Sequence, residues 1–525
     1  MFTSFIRSSN TSGLRYSNLT GWIPCTLRVL CDTVQQLPKF SNSDNLYYVS
    51  LKLTRPKIFA ILTTLTVFLF LLYPPTDSDL GWHLKYGEYF LQNKQILRQD
   101  IFSHTFQGYP WINHSWLFDI LAYLSFAQLR FLGLSILGAL IVFAALKTIL
   151  KSVKASPLET LLSASIFIFF AKNSLEVGIR SQFLSWLGLS VLLFLLNKYK
   201  KGQAKALLFL PLLFLFWANF HGTFLLGLAV LGIFWLVEIA KSFRPDLSLA
   251  CLTSATVTLL NPFGFHICQE AFKHFGSPLL QTVYEWKPVD LSAPTGIIFV
   301  IFAGIMITKA LFDKKEDNTH QVAILTALLF LAFTKRRFVP LFVLASLPVF
   351  VQITRKATKL LKSEWVESIT YMTVIIAFLY ASFIRSPRLN LFSFSWNSFC
   401  LDGPKPIGCS EEAVKFLKLN PPEGKMFNLY RWGGYLVWRL PEKKVFIDGR
   451  MHLWQKDSRK IIEDYGQIFE AKPGWEEKLE KYDVSWIFVP GLSPLHLAVW
   501  HHPHWQQVYD DPFSVIFVRS VDSYQ

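Results

Sequence analysis

Two aspartates one residue apart, in Pro75-Thr76-Asp77-Ser78-Asp79-Leu80-Gly81-Trp82-His83, follow directly on the first strongly apolar run of the chain. Carboxylates so placed can take a proton from a hydroxyl or ligate a hard divalent cation such as Mg2+ or Mn2+. With Leu80 to Leu91 helical, Asp79 and His83 lie one turn apart on one face, so the imidazole could orient the carboxylate or share its proton. Trp82, Tyr86 and Tyr89 would then form an aromatic stripe suited to a membrane interface. The plainer alternative is that Asp77 or Asp79 caps this helix. More polar residues stand at the ends of later apolar runs: Arg180, Asn219, His221, Glu285 and Lys335-Arg336-Arg337. Cations kept at the outer end of an apolar run need an anionic partner, and a phosphate at headgroup level would supply one. Each residue alone also reads as a snorkelling or capping group.

The elements that position these residues are mostly apolar. Of 525 residues 52% are hydrophobic, 49 are Phe and only 17% are charged, the composition of an α-helical polytopic membrane protein. Runs near the ~20 residues that cross a hydrocarbon core recur at 56–74, within 116–150, and at 157–171, 181–196, 205–218, 222–240, 247–260, 295–310, 320–333, 337–353 and 367–385. Positive charge stays cytoplasmic. That rule places inside the tail before residue 56, Lys151 with Lys154, the loop 197–201, Lys241 with Arg244, Lys314 with Lys315, and Arg355 to Lys362. Parity then requires one crossing in 116–150, part of which is interfacial or long and tilted. About eleven crossings put the N-terminus in the cytoplasm and loop 74–115 and everything after 386 outside. The net charge of +16 reports this bias and contact with anionic lipid rather than nucleic acid.

The chain reads as a basic tail 1–55, a membrane body 56–390 and a soluble α/β domain 400–525. In the last, Glu411 to Leu419, Asp457 to Phe469 and Trp475 to Tyr482 read as helices. Val437 to Leu440, Lys444 to Ile447, Val484 to Pro490 and Ser514 to Val518 read as strands. Trp432-Gly433-Gly434-Tyr435 and Asp448-Gly449-Arg450 read as turns, or as a platform for a sugar or acceptor. Cys400 and Cys409 close a short outer loop, as a disulfide or as two free thiols. Cys251 and Cys268 read as apolar fillers. The tail, with Arg7, Arg15 and Arg28 and no acidic residue before Asp32, is a cytoplasmic extension or a transit peptide, and no cleavable secretory signal precedes the first span.

Asp77-x-Asp79-x-x-Trp82-His83-Leu84-x-x-Gly87, Asp100-x-Phe102-Ser103-x-Thr105, Gly108-x-Pro110-Trp111 and Trp116-Leu117 together resemble the first outer loop of multipass bacterial proteins similar to GT-C glycosyltransferases. That class includes the oligosaccharyltransferase catalytic subunit and the protein O-mannosyltransferases. Trp217-x-Asn219-x-His221-Gly222, Asn261-Pro262-x-Gly264, Glu285-Trp286, Trp432-Gly433-Gly434-Tyr435-Leu436 and Phe446-Ile447-Asp448-Gly449-Arg450 extend the resemblance over residues 56 to 525. It implies a transferase that uses a polyprenyl-phosphate-linked sugar donor at the outer face of a bacterial plasma membrane, and it names neither sugar nor acceptor. Asp77 or Asp79 would be the base or a metal ligand, with His83 beside them. Arg180, Asn219, His221, Glu285, Lys335, Arg336 and Arg337 would bind the donor phosphate or substrate. The rival readings are a transporter or flippase of a lipid-linked molecule and a non-catalytic assembly subunit. Polar groups gathered at one face favour chemistry there over a path through the bilayer.

Overall fold

The computed structural model describes residues 54–520 apart from 277–282, 314–316, 360–363, 386–390, 403–404 and 457–458. The basic tail through residue 53, Lys314, Lys315 and Lys362 lie outside the described residues. Arg55–Gln525 make one compact unit.

The apolar runs fold as helices: Arg55–Phe70, Trp116–Ser152, Pro157–Leu175, Gln182–Lys200, Phe209–Phe220, Phe224–Ile239, Pro245–Val257, Pro294–Phe312, Thr319–Thr334, Val339–Lys359 and Glu364–Arg385. Leu69, Leu236, Leu252, Ile301 and Phe330 are each more than half exposed, the outward apolar surface expected of helices solvated by lipid. Among the described residues Trp116–Ser152, Pro157–Leu175, Pro294–Phe312 and Arg336–Lys359 are long and apolar enough to cross a membrane, while the apolar stretches Pro56–Phe70, Ala204–Phe220, Phe224–Ile239, Thr319–Thr334 and Ser368–Phe378 are shorter. Length and composition alone thus single out four of the eleven expected crossings among the described residues. The long helix breaks at Leu129 and Arg130, whose backbone leaves helical geometry (φ 52° at Arg130). Its first part packs on the helix Leu80–Asn93, and its second part alone has the length of a span.

Charges sort to two ends of this bundle. At one end Lys201 donates to the Ser152 carbonyl at 3.2 Å, Lys200 and Lys241 reach Asp317, and Arg355 pairs with Glu159 at 2.9 Å. The basic loops assigned to one side by charge thus meet one another. At the other end lie residues 74–115 and the C-terminal α/β region.

That region carries strands β1 (Lys425–Asn428), β2 (Gln455–Lys456), β3 (Arg459–Lys460), β4 (Val484–Val489), β5 (Trp505–Asp510) and β6 (Val515–Arg519). β1, β4, β6 and β5 form one sheet in that order, β1 parallel to β4 and the other pairs antiparallel, while β2 and β3 pair separately. Glu411–Leu419 is helical as expected, and Ile461–Phe469 and Trp475–Lys481 fall within the expected helices. Val437 to Arg439 is not a strand: it completes a helix that starts at Gly433. Lys444 to Ile447 is extended but pairs with the outer loop, through a parallel bridge between Val445 and Ser103, instead of joining the sheet. β1 and β5 carry too little alternation to announce themselves. Cys400 and Cys409 form a disulfide.

The helix Gly433–Arg439 lies directly on the helix Leu80–Asn93. A Cβ on Gly81 would fall 2.0 Å from the Gly434 carbonyl oxygen, so glycine lets the two backbones touch. The turn expected at Trp432-Gly433-Gly434-Tyr435 is thus a helix start made small for docking. His104 Nε2 lies 2.8 Å from the Met426 carbonyl and Thr105 donates to the Phe446 carbonyl at 2.6 Å. These bonds fasten the C-terminal region over the outer loop.

Candidate active site

Asp79 occupies the N-cap position of the helix Leu80–Asn93, yet its side chain makes no capping hydrogen bond. Asp77 instead accepts from the Asp79 N–H at 3.2 Å. The local turn is therefore satisfied by Asp77, and the Asp79 carboxylate is left to face a cleft of about 170 Å³. Burial and the charge of Asp77 push Asp79 up to about 7, against the opposing pull of His83 and Arg180.

Seven of the ten residues named from the sequence border this cleft: Asp77, Asp79, His83, Arg180, His221, Glu285 and Arg337. Arg180 joins three loops, its Nε 2.8 Å from Asp77 and its Nη1 2.7 Å from Glu285. Burial opposes the charge on Glu285, but Arg180 and Arg337 hold it down at about 2. Arg337 Nη1 stands 3.8 Å from Glu285, looser than a hydrogen bond. His221 Nδ1 lies 2.8 Å from Ser185 Oγ.

The other three go elsewhere. Asn219 accepts from Trp116 Nε1 at 2.9 Å and donates to the carbonyls of Leu215 and Leu260, so it ties helix ends together. Arg336 donates to the Pro288 carbonyl at 2.7 Å and covers the Tyr284 ring. Lys335 lies over Trp286, its ammonium 4.8 Å from the ring centre. Three successive cations at a helix end cannot all face one way, and only Arg337 turns inward.

The His83 imidazole pairs with a carboxylate other than Asp79, and only its backbone N–H reaches Asp79, at the carbonyl oxygen 3.3 Å away. Its Nδ1 sits 2.5 Å from Asp119, and although burial opposes its charge, this carboxylate raises it above its ordinary value. Asn113 and Ser115 donate to the same Asp119. Trp82 and Tyr86 are core residues packed edge-on against Trp111 rather than an interfacial stripe.

The C-terminal wall was legible in the sequence only as a turn or a sugar or acceptor platform at Asp448-Gly449-Arg450. Gly449, Arg450, His452 and Trp454 line the cleft. A Cβ on Gly449 would lie 1.9 Å from Asp79 Oδ1, so only a residue without one leaves the carboxylate its place. Arg450 is 2% exposed, bound to Asp448 at 2.5 Å and Asp100 at 2.8 Å, and boxed by the rings of Phe102, Trp111 and Trp454. Asp100 and Asp448 each stood in a motif quoted above, but nothing in one sequence said that they share an arginine. Glu270 and His452, also at the cleft, gave no signal.

Among the described residues no three His, Cys, Asp or Glu side chains gather as a metal-ligand set. Asp77 and Asp79 remain a crowded carboxylate pair of the kind that Mg2+ uses when phosphate oxygens and water complete its shell.

No protein-family model matches the sequence, and no curated protein matches it. Solved structures do. The Archaeoglobus fulgidus oligosaccharyltransferase AglB, in complex with an inhibitory peptide and a dolichol-phosphate, matches over 89% of this chain and 74% of its own at 11% identity, with a TM-score of 0.56. The same enzyme with Zn and sulfate matches at 12% identity over 88% and 73%, TM-score 0.53. ArnT from Cupriavidus metallidurans in the apo state matches at 11% identity over 88% and 97%, TM-score 0.51. The fold is that of the GT-C glycosyltransferases. At these identities the GT-C likeness speaks for architecture, and the chemistry rests on the cleft.

Proposed function

We propose that this chain is a membrane glycosyltransferase that moves a sugar from a polyprenyl-phosphate-linked donor to an acceptor hydroxyl at the outer face. The observation that carries the reading is Asp79, a carboxylate unspent on its own helix, poised near neutrality, and bordering one cleft with Arg180 and Arg337. The fold also favours it, since the structure of the A. fulgidus enzyme that shares it is a complex with an inhibitory peptide and a dolichol-phosphate. Asp79 takes the acceptor proton as the acceptor oxygen attacks the anomeric carbon. The carbon–oxygen bond to the phosphate breaks, and the polyprenyl phosphate leaves with the electron pair. Arg180 and Arg337 meet the charge that grows on it. Asp77 holds Arg180 and raises Asp79, and His221 orients substrate. Asp77 and Asp79 would hold a Mg2+ or Mn2+ ion, which would add positive charge at the phosphate.

The transporter reading needs a polar route through the bundle. Along the helix Gln182–Lys200, Gln182 borders the cleft, but the turns below it bury Trp186, Leu189 and Leu192 completely. The proposed topology keeps the eleven crossings, the cytoplasmic N-terminus and the outer C-terminal domain 400–525. A membrane-impermeant thiol reagent added outside should label Leu492→Cys and spare Lys200→Cys; the reverse pattern overturns the sidedness. For the chemistry, cells lacking the protein should accumulate a polyprenyl-phosphate sugar that the wild type clears and Asp79→Asn does not. Full clearance by both Asp77→Asn and Asp79→Asn sinks the transferase mechanism.

A further inference from the structure

A second cavity, of about 160 Å³, lies at the end of the bundle opposite the cleft, where the basic loops meet. Its floor is apolar, made by Ile149, Leu193, Phe234 and Ile324 among others, and its rim is polar, with Asn197, Lys200, His320, Gln321 and Gln352. Pro348 shapes one wall. It sits inside the helix Val339–Lys359, where it cannot donate to the Leu344 carbonyl, and with Ala345 and Gln352 it makes a notch on one helix face.

His320 points to an occupant. The side chain is 4% exposed, and its ring lies against Phe234 with centroids 4.4 Å apart. Nε2 is 2.7 Å from Glu238, within ion-pair distance but without hydrogen-bond geometry. Neither ring nitrogen has a hydrogen-bond partner among the described residues, and with the proton on Nε2, toward the Glu238 carboxylate, Nδ1 is left as a lone-pair acceptor. A buried acceptor at a cavity wall calls for a donor from something that enters. Lys200 reaches the Asp317 carbonyl from the rim, while the Asp317 carboxylate pairs with Lys241, so the ammonium of Lys200 keeps its charge for an anion.

We propose that this cavity is a second binding site, for a phosphate ester that carries free hydroxyls: a hydroxyl donates to His320 Nδ1, the phosphate meets Lys200, and any carbon chain lies on the apolar floor. Such an ester is either the headgroup of a phosphoglycerol lipid or a soluble sugar or polyol phosphate. The site shares no lining residue with the cleft, so it stands or falls apart from the transferase reading.

The full-length protein in nanodiscs of phosphatidylcholine, with or without a tenth of phosphatidylglycerol, tests this by native mass spectrometry and thermal shift, with glycerol 3-phosphate as the soluble probe. Retention of phosphatidylglycerol over phosphatidylcholine, with no response to glycerol 3-phosphate, assigns the site to a lipid. Stabilisation by millimolar glycerol 3-phosphate assigns it to a soluble ester. In either case His320→Phe, which keeps the stack on Phe234 and removes the acceptor, should cut binding at least tenfold. Ala345→Leu, which fills the notch and leaves every polar group in place, should do the same. Binding unchanged in Ala345→Leu, or no preference for either probe in the wild type, overturns the proposal.

Discussion

Arg180 and Arg450 are each held between two carboxylates, Asp77 and Glu285 for the first, Asp100 and Asp448 for the second. Their surroundings part company. The Arg450 side chain is 2% exposed and walled by three aromatic rings, and both of its carboxylate partners are fully buried. Arg180 is 23% exposed, uses Nε and Nη1, and has a third carboxylate and a second arginine on the same cleft. One arrangement locks the C-terminal region to the outer loop. The other stays open on one side, with like charges held close enough to favour an incoming ion or phosphate. The same three groups thus make a rivet where water is excluded and a binding surface where it is not.

The largest effect should come from the open side. Asp79→Asn keeps the shape of the side chain and removes the base, and general-base loss costs ~10²–10⁴ in rate. Thermal unfolding of that variant should match the wild type, because Asp79 caps nothing. A folded variant with normal turnover would end the assignment.

The locked side should fail the other way. Arg450→Leu leaves Asp100 and Asp448 buried without their cation, a loss of about 3–5 kcal/mol in stability. Arg180→Gln should lower turnover far more than melting temperature. Equal destabilisation by both variants would erase the distinction drawn between the two arginines. Gly449→Ala joins the two regions: a methyl at that position meets Asp79 at 1.9 Å, so overpacking of about 1–3 kcal/mol should come with a rate loss of up to ~10², the cost of moving a reacting group by an ångström.

A pH profile sharpens the comparison further. The base works ionised, so transfer should rise with pH through an apparent value of about 7. Asp77 raises that value by its like charge and Arg180 lowers it. Asp77→Asn should therefore shift the rising limb to lower pH, and Arg180→Gln should shift it to higher pH. Shifts in one common direction would mean that the limb belongs to another group. Glu285, held at about 2, should keep its tie to Arg180 throughout the working range. The sign follows from its depressed value: the stability it adds is full above the ordinary carboxylate range and is lost only as pH falls toward 2.

Apolar periodicity made the helices legible, and the Asp-x-Asp motif with its neighbouring cations made half of the cleft legible, because charges near a bilayer are too costly to be placed idly. What stayed hidden is pairing across long sequence distance. Nothing in Asp448-Gly449-Arg450 says that it folds onto Asp79, some 370 residues earlier, or that Arg450 closes on Asp100. The short helix at Gly433 was read as a turn because two glycines are poor helix formers, and contact with Gly81 overrode that propensity. His83 was placed on the right face but its partner, Asp119, comes from the next helix. Lys335 to Arg337 showed a cluster without showing which member turns in.

The smallest effect tests that last point. Arg336 lies on the Pro288 carbonyl and the Tyr284 ring, half-buried and outside the cleft, so Arg336→Gln should change stability by less than about 1 kcal/mol and leave turnover within about twofold. Arg337, one residue on, borders the cleft beside Glu285, and Arg337→Gln should raise the donor concentration needed for half-maximal transfer. Two neighbouring arginines, equal in sequence, then separate by direction alone. Steady-state kinetics over a range of donor decides it: a defect in Arg336→Gln as large as in Arg337→Gln would mean that the phosphate is met on the outer surface instead of in the cleft, and the open arrangement around Arg180 would lose its partner cation.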